Sequence, residues 1–435
     1  MSQDETAENL LQADNTTDIL GDSVSIRMYN VGFGDAFLVR FPTQEGVKSI
    51  LIDCGVHFAG KSMNDIEDIV KDIIDTVTID EQPIIDIVVC THRHQDHVSG
   101  FASKAWDAVE VGEIWMPWTE NPLDSNAKAI NSAQSRAAIH LARMVEGDLV
   151  KYQNGSEESQ HLHWIRKLAF NALSNEKAMR SLHHGFKGAP VRKFLPYLED
   201  ERRSFSVTQI PGLIVHVLGP SRDPKVIKHL NPPVIQSYLK LVDEAGSWKD
   251  NPIVPFPDGW IIDEEDLATA CDEFVLDDRT KSYLEAFDSD YSKIVAASLD
   301  KAINGTSLVL IFEFGGALLL FSGDAQWGTW NAALEDEEWR ELLSRISFYK
   351  VGHHGSHNAT PVSFVEEVLN TDGRQCFAMV STMEMKPWPN IPRLPLLSAL
   401  ADKSVSIARS DQPEQVSAED FNTNGSLYIE CNVPF

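Results

Sequence analysis

Short apolar runs set between polar turns mark the first strands of the chain: SVSIRMYN at 23–30, AFLVRF at 36–41 after the turn GFGD, and SILIDCG at 49–55. A fourth run, IIDIVVCT, ends at Thr91. Between the third and fourth, MNDIEDIVKDIIDTV places Ile66, Ile69, Val70, Ile73 and Ile74 on one helical face. Hairpin, strand, helix and strand in that order open a layered α/β domain. The pattern returns downstream, where SLVLIFEFGGALLLFSGD reads as a hairpin around Gly315 and Gly316, NAALEDEEWRELLSRI as a helix and SFYKVG as a strand. The closing quarter repeats the alternation with CFAMVST, a Pro-rich loop, the helix-like LPLLSALAD, VSIARSD and SLYIECNV.

From about 101 to 300 the pattern is less regular, with helical stretches near 126–149 and 160–182 and a strand around Leu213 to Leu218. So long a stretch must carry its own structure, and it is expected as a largely helical insertion within one domain spanning 23–435. Residues 1–22 are acidic and polar and are expected as a disordered tail; a signal peptide would need a basic patch followed by an apolar run. No stretch approaches the roughly 18 apolar residues of a membrane span.

Composition narrows the function classes. With 435 residues, 43% hydrophobic and 23% charged, the chain is neither wholly disordered nor collagenous. Its five cysteines (Cys54, Cys90, Cys271, Cys376 and Cys431) share no CxxC spacing, which argues against a disulfide framework and a thiolate zinc ribbon and fits a reducing cytoplasm. A formal net charge of −28 excludes a uniformly basic surface for nucleic acid. Only the segment 151–203 runs basic, with ten Lys and Arg against six acids. There Arg166, Lys167, Arg192 and Lys193, interleaved with aromatic residues, are candidate contacts to a short or single strand. A solvated helical surface is the plainer reading of the same residues.

The chemistry concentrates at strand ends. Thr91-His92-Arg93-His94-Gln95-Asp96-His97 places three imidazoles and a carboxylate within six positions directly after a buried run, a donor set suited to zinc or a similar divalent ion. GGALLLFSGD delivers Asp324 in the same way, and one carboxylate there can bridge two cations about 3.5–4 Å apart. SFYKVGHHGSHNAT delivers His353 and His354 between Gly352 and Gly355.

His92, His94, Asp96 and His97 resemble the HxHxDH motif of the metallo-β-lactamase-fold hydrolases. VGFGDAFLVRF, LIDCG, THRHQDHVSG, FSGD and VGHHGS are together similar to the soluble hydrolase domain of the ComEC competence proteins and related stand-alone hydrolases. The likeness covers roughly 24–100 and 305–430. It implies a four-layer αββα sandwich with a binuclear site at one edge of the sheets. One metal would be held by His92, His94 and a His of the HHGS element or solvent, the second by Asp96 and His97, with Asp324 between them. Spacing does not separate His353 from His354 as the ligand. Asp53 would orient the metal-binding loop from outside the ligand set, and Asp35 would face the site or simply turn the hairpin. A further His that many members place between the first motif and the bridging Asp has only His183, His184 and His216 as candidates. His216 lies in an apolar strand and reads as a core residue.

The expected cofactors are two divalent ions, zinc or manganese, and the expected reaction is hydrolysis by an activated water. Asp96 would align the nucleophile, while His354 or His357 would protonate the leaving oxygen. A phosphodiester in nucleic acid or a nucleotide is the expected substrate. A lactone, thioester or other carboxyl derivative is an alternative, as is a metal-stabilised protein that binds a protein partner without catalysis.

Overall fold

Period-two burial builds the sheets. In the computed structural model, which describes residues 21–435 except 59, 61–63, 153–155, 157–158, 161, 164, 167–174, 198–202, 239–240, 243–247, 250–288 and 386–389, strand β1 spans Ser23–Tyr29, β2 Ala36–Thr43 and β3 Gly46–Cys54. Phe37, Val39 and Phe41 of β2 point to one buried face, and Ala36 and Leu38 to the other. Both faces are therefore covered, and the strands read as nearly continuous apolar runs.

The chain continues through β4 (Thr78–Ile79), β5 (Gln82–Val89), β6 (Glu110–Pro117) and β7 (Val191–Leu195). Strands β8 (Ser204–Ser206) and β9 (Ile214–Gly219) start a second sheet, and β10 (Leu241–Val242) and β11 (Trp248–Lys249) form a separate ribbon. The second sheet is completed by β12 (Val309–Phe314), β13 (Ala317–Phe321), β14 (Phe348–Lys350), β15 (Cys376–Val380) and β16 (Val405–Arg409). Finally β17 (Asn422–Asn424) and β18 (Tyr428–Pro434) return to the first sheet, where β18 runs antiparallel to β1 with Ser23 opposite Pro434. Among the described residues the first sheet has nine strands in the order β17-β18-β1-β2-β3-β5-β6-β7, with β4 beside β5, and the second has seven, in the order β16-β15-β14-β13-β12-β9-β8.

The two sheets share one apolar core, to which Ile26, Phe37 and Ile50 contribute from the first and Phe312, Leu319 and Phe348 from the second. The outer face of the first sheet is covered by the helix Ile66–Thr76, through Ile69, Val70 and Ile73, and by the helix Glu176–His184, through Ala178 and Leu182. Helices Trp327–Glu335, Glu337–Ser344 and Leu394–Asp402 cover the outer face of the second.

The stretch 101–300 is more closely woven into this frame than its pattern predicts. It supplies β6 and β7 to the first sheet and β8 and β9 to the second, in addition to helices. Strand β6 joins because it pairs in parallel with β5, and β7 because it pairs with β6. The expected helix at 126–149 is present as Ser125–Leu149 and the end of the expected 160–182 stretch as Glu176–His184, while 161, 164 and 167–174 of that stretch lie outside the described residues. Residues 1–20 of the expected tail lie outside the described residues.

Candidate metal centre

Parallel strands send their carboxyl ends to one edge, and the candidate residues follow those ends. Strand β5 leads into Thr91–His97, β13 into Asp324, β14 into His353 and His354, and β3 ends with Asp53 and Cys54. The edges of the two sheets are joined there by the Leu308 N–H, which donates to the Thr91 carbonyl at 2.9 Å.

One atom each from Asp96, His97, Asp324 and His354 lies within 4.8 Å of all the others, and all four residues are buried. The Nε2 of His97 is 3.3 Å from Asp324 Oδ2, and the Nε2 of His354 is 3.2 Å from Asp96 Oδ2. The opposite nitrogens are tied down. His97 Nδ1 donates to Asp53 Oδ2 at 2.7 Å, and His354 Nδ1 donates to the Ser381 carbonyl at 2.9 Å. Asp53 also accepts from the Thr91 N–H at 2.7 Å and from Thr91 Oγ1 at 2.6 Å. Each imidazole is thus fixed in ring orientation, with its Nε2 directed at the carboxylates.

His92 and His94 stand beside this group. Their Nε2 and Nδ1 atoms are 3.1 Å apart, close enough to share a proton or a cation. His353 approaches from the other side, its Nε2 at 3.9 Å from Asp324 Oδ2 and its N–H donating to Asp324 Oδ1 at 3.1 Å. Both His353 and His354 adopt left-handed backbone conformations, with φ of 44° and 54°. Such strain persists where the surroundings over-determine it.

The sequence pattern does not single out Lys350. It is buried, and its ammonium pairs with Asp35 and stands 3.6 Å from Asp324 Oδ1. Asp35 therefore faces the site, 3.5 Å from His97 Nδ1. Asp300 and Asn304 also escape the sequence reading; they come from the helix Ser289–Asn304 and reach His94 and His353. The cue for Lys350 was a lysine inside an otherwise apolar strand, and for the other two an acid and an amide four positions apart on a helix.

Burial and charge compete at every titratable group here. Burial alone would raise the Asp96 and Asp324 carboxyls, but the neighbouring imidazoles, joined at Asp324 by Lys350, hold both well below the usual carboxylate range. Burial would lower His97, but Asp324, Asp53 and Asp35 outweigh it and hold the imidazole well above its ordinary value. His354 is raised against burial mainly by its bond to Asp96. For His92 burial wins, helped by His97, and the ring is held neutral with a lone pair available. Ionised carboxylates and neutral imidazoles are the forms that bind a divalent ion, whose arrival would displace the protons on His97 and His354.

The donor set fits such an ion. Asp96 Oδ1 is buried without a hydrogen-bond partner among the described residues, a costly condition that a cation relieves. Four buried carboxylates (Asp35, Asp53, Asp96 and Asp324) are also gathered here, with Lys350 the one ammonium beside them among the described residues, a concentration of acids that an added cation would relieve.

The remaining candidates lie elsewhere. His216 is taken up between strands, its Nδ1 2.7 Å from Ser204 Oγ and its Nε2 2.9 Å from Glu313 Oε2. His183 and His184 end the helix Glu176–His184 on the outer face of the first sheet, where the His183 ring stacks on Phe194. No hydrogen bond or ion pair joins His357 to the cluster among the described residues. Burial, then Lys301 and Arg393, push its imidazole down to about 4. Of the basic candidates, Arg192 donates to the carbonyls of Leu182, Gly185 and Pro190, and Lys193 pairs with Glu113 at 2.7 Å. Arg166 pairs with Glu146 at 3.8 Å. Lys167 lies outside the described residues. Arg166, Arg192 and Lys193 are thus engaged with groups of the protein itself. No helix among the described residues is long and apolar enough to cross a membrane.

Compared with known protein families and with curated proteins, the chain matches no family model and no curated protein.

Proposed function

We propose that this chain is a metal-dependent hydrolase of the metallo-β-lactamase-fold type, acting on a phosphodiester through two divalent ions. The observation that carries the reading is the convergence of Asp96, His97, Asp324 and His354 within 4.8 Å at a strand-end edge, next to the His92 and His94 pair. The two-sheet arrangement with outer helices is compatible with that fold, and the resemblance of the five sequence elements points the same way.

Asp96, His97, Asp324 and His354 would hold one ion, and His92, His94 and His353 beside Asp324 the other. In this assignment both His353 and His354 would take part, with Asp324 shared between the two groups. Divalent ions bound there lower the pKa of water towards neutrality and draw charge from substrate oxygens. The protein's part is to orient and to balance charge. Asp53 fixes the His97 ring, Ser381 fixes His354, and Lys350 compensates Asp35 and the outer oxygen of Asp324. A pair of divalent ions stabilises both the entering and the leaving oxygens of a phosphodiester displacement, which favours that substrate over a neutral lactone. With Nδ1 bonded to Ser381 and Nε2 in the ligand group, His354 has no nitrogen left for a leaving-group proton. His357, held neutral at pH 7, is a poor acid for the same task.

The test is a screen of zinc- or manganese-loaded protein against bis-p-nitrophenyl phosphate, single- and double-stranded nucleic acids, cyclic nucleotides and lactones. Phosphodiester cleavage is expected, and Asp96→Ala is expected to abolish it with the fold retained. Full turnover by the Asp96→Ala protein would sink the reading, and exclusive lactone cleavage would redirect it to carboxyl chemistry.

A further inference from the structure

One turn of the helix Ser289–Asn304 reaches two histidines of the candidate centre. The helix is seated by Leu299 and Ile303, which pack against Ala137 and Ala138 of the long helix Ser125–Leu149. Residues four apart share a helix face, so Asp300 and Asn304 stand together on the adjoining side. Asp300 Oδ1 lies 3.7 Å from His94 Nε2, and its Oδ2 accepts from Asn304 Nδ2 at 3.4 Å. The same Nδ2 is 3.4 Å from His353 Nε2. A continuous row of polar contacts thus joins His94 to His353 through a single helical turn.

Two buried atoms in this row have no hydrogen-bond partner among the described residues. They are Oδ1 of Asn304, a residue 1% exposed, and Nδ1 of His353. Native interiors rarely leave such atoms unsatisfied, and neighbouring orphans mark a place built for something more. The orientation of His94 is equally informative. Its Nδ1 faces His92 Nε2, so Nε2 is the outward nitrogen, and a carboxylate there selects the tautomer that keeps the lone pair on Nδ1.

We propose that Asp300 and Asn304 are positioning residues for the cation site of His92, His94 and His353, and that the seating of this helix governs the occupancy of that site alone. The inference rests on the two-ion reading of the preceding section. The second group, Asp96, His97, Asp324 and His354, is fixed by Asp53 and Ser381 and makes no hydrogen bond or ion pair with Asp300 or Asn304 among the described residues. The outer contacts of the two ligand groups therefore differ: Asp53 and Ser381 hold one, and a helix outside the sheets reaches the other.

The test uses the full chain and zinc alone, with elemental analysis after dialysis and a competition titration with a chromophoric chelator. The wild type is expected to hold two zinc ions. Asp300→Ala and Asn304→Ala are expected to keep one at wild-type affinity and to weaken the other about 10–100-fold, the usual effect of losing an outer partner of a ligand. Asp300→Asn, similar in shape, should show the same split, and Asp300→Glu should recover most of the loss. The cobalt-substituted variants should lose the visible absorption of one ion only. Circular dichroism of each variant checks that the fold survives. Variants that bind both ions as the wild type does, or lose both equally, overturn the inference. A wild type that takes up no zinc overturns the two-ion reading itself, and this inference with it.

Discussion

Lys350 shows how much a single side chain can carry in a buried cluster. Its ammonium is the one fixed cation among four carboxylates, paired with Asp35 and close to Asp324. Removing one member of a buried pair costs about 3–5 kcal/mol, because the remaining charge loses its compensation. Lys350→Met should therefore unfold at distinctly lower urea concentration than the wild type; an unchanged midpoint would show that the ammonium is dispensable. Asp53 acts through His97. Asp53→Asn keeps one oxygen for the Thr91 donors but loses the carboxylate oxygen that holds His97 Nδ1, so zinc affinity should fall about 10–100-fold in a competition titration, with a lower melting temperature alongside. His92, His94, Asp96, His97 and Asp324 were legible in the sequence because each follows an apolar run that must end at a sheet edge. Lys350 was not, since a polar residue in a short strand ordinarily faces water, and only the carboxylates brought in from β2 and β13 make its burial tolerable.

At the level of elements, the ligand-bearing turn is held by close backbone packing. A Cβ on Gly55 would lie 2.5 Å from the His97 nitrogen and 2.6 Å from the Gln95 carbonyl oxygen. Gly34, with φ of +156°, is pressed against Gly55 and Asp96 from the hairpin side. Gly55→Ala must push the Gln95–Val98 turn outward, at a cost of about 1–3 kcal/mol by the usual scale of overpacking. A lower melting temperature and weaker zinc binding are expected together; a fall in stability with zinc binding intact would show that the turn adjusts without moving its ligands. The strands of the opening and closing segments were readable because their apolar runs are dense. Strands β6 and β7 were not, since EVGEIWMP and VRKFL carry charges within the strand and owe their conformation to parallel neighbours. The helix Ser289–Asn304 was obscured for a related reason: its apolar contacts are to another helix of the irregular stretch, and local pattern does not reveal a partner so distant in sequence.

For the whole molecule, the candidate centre straddles the two sheets, with His97 supplied by the first and Asp324 by the second. A ligand that binds only the folded chain stabilises it by about 2.7 kcal/mol at 100 times its dissociation constant. Zinc should therefore raise the melting temperature by several degrees and a chelator should lower it; a midpoint indifferent to both would remove the cation from the account. Across this edge the layers share the backbone bond from Leu308 to Thr91. A cation placed there would work as a rivet at one end of the sandwich, so its withdrawal should loosen that end first. Protease treatment in the presence of chelator should then open its earliest cuts in the segments flanking Arg93 and His357, while the Phe-rich middle of the sandwich is still closed.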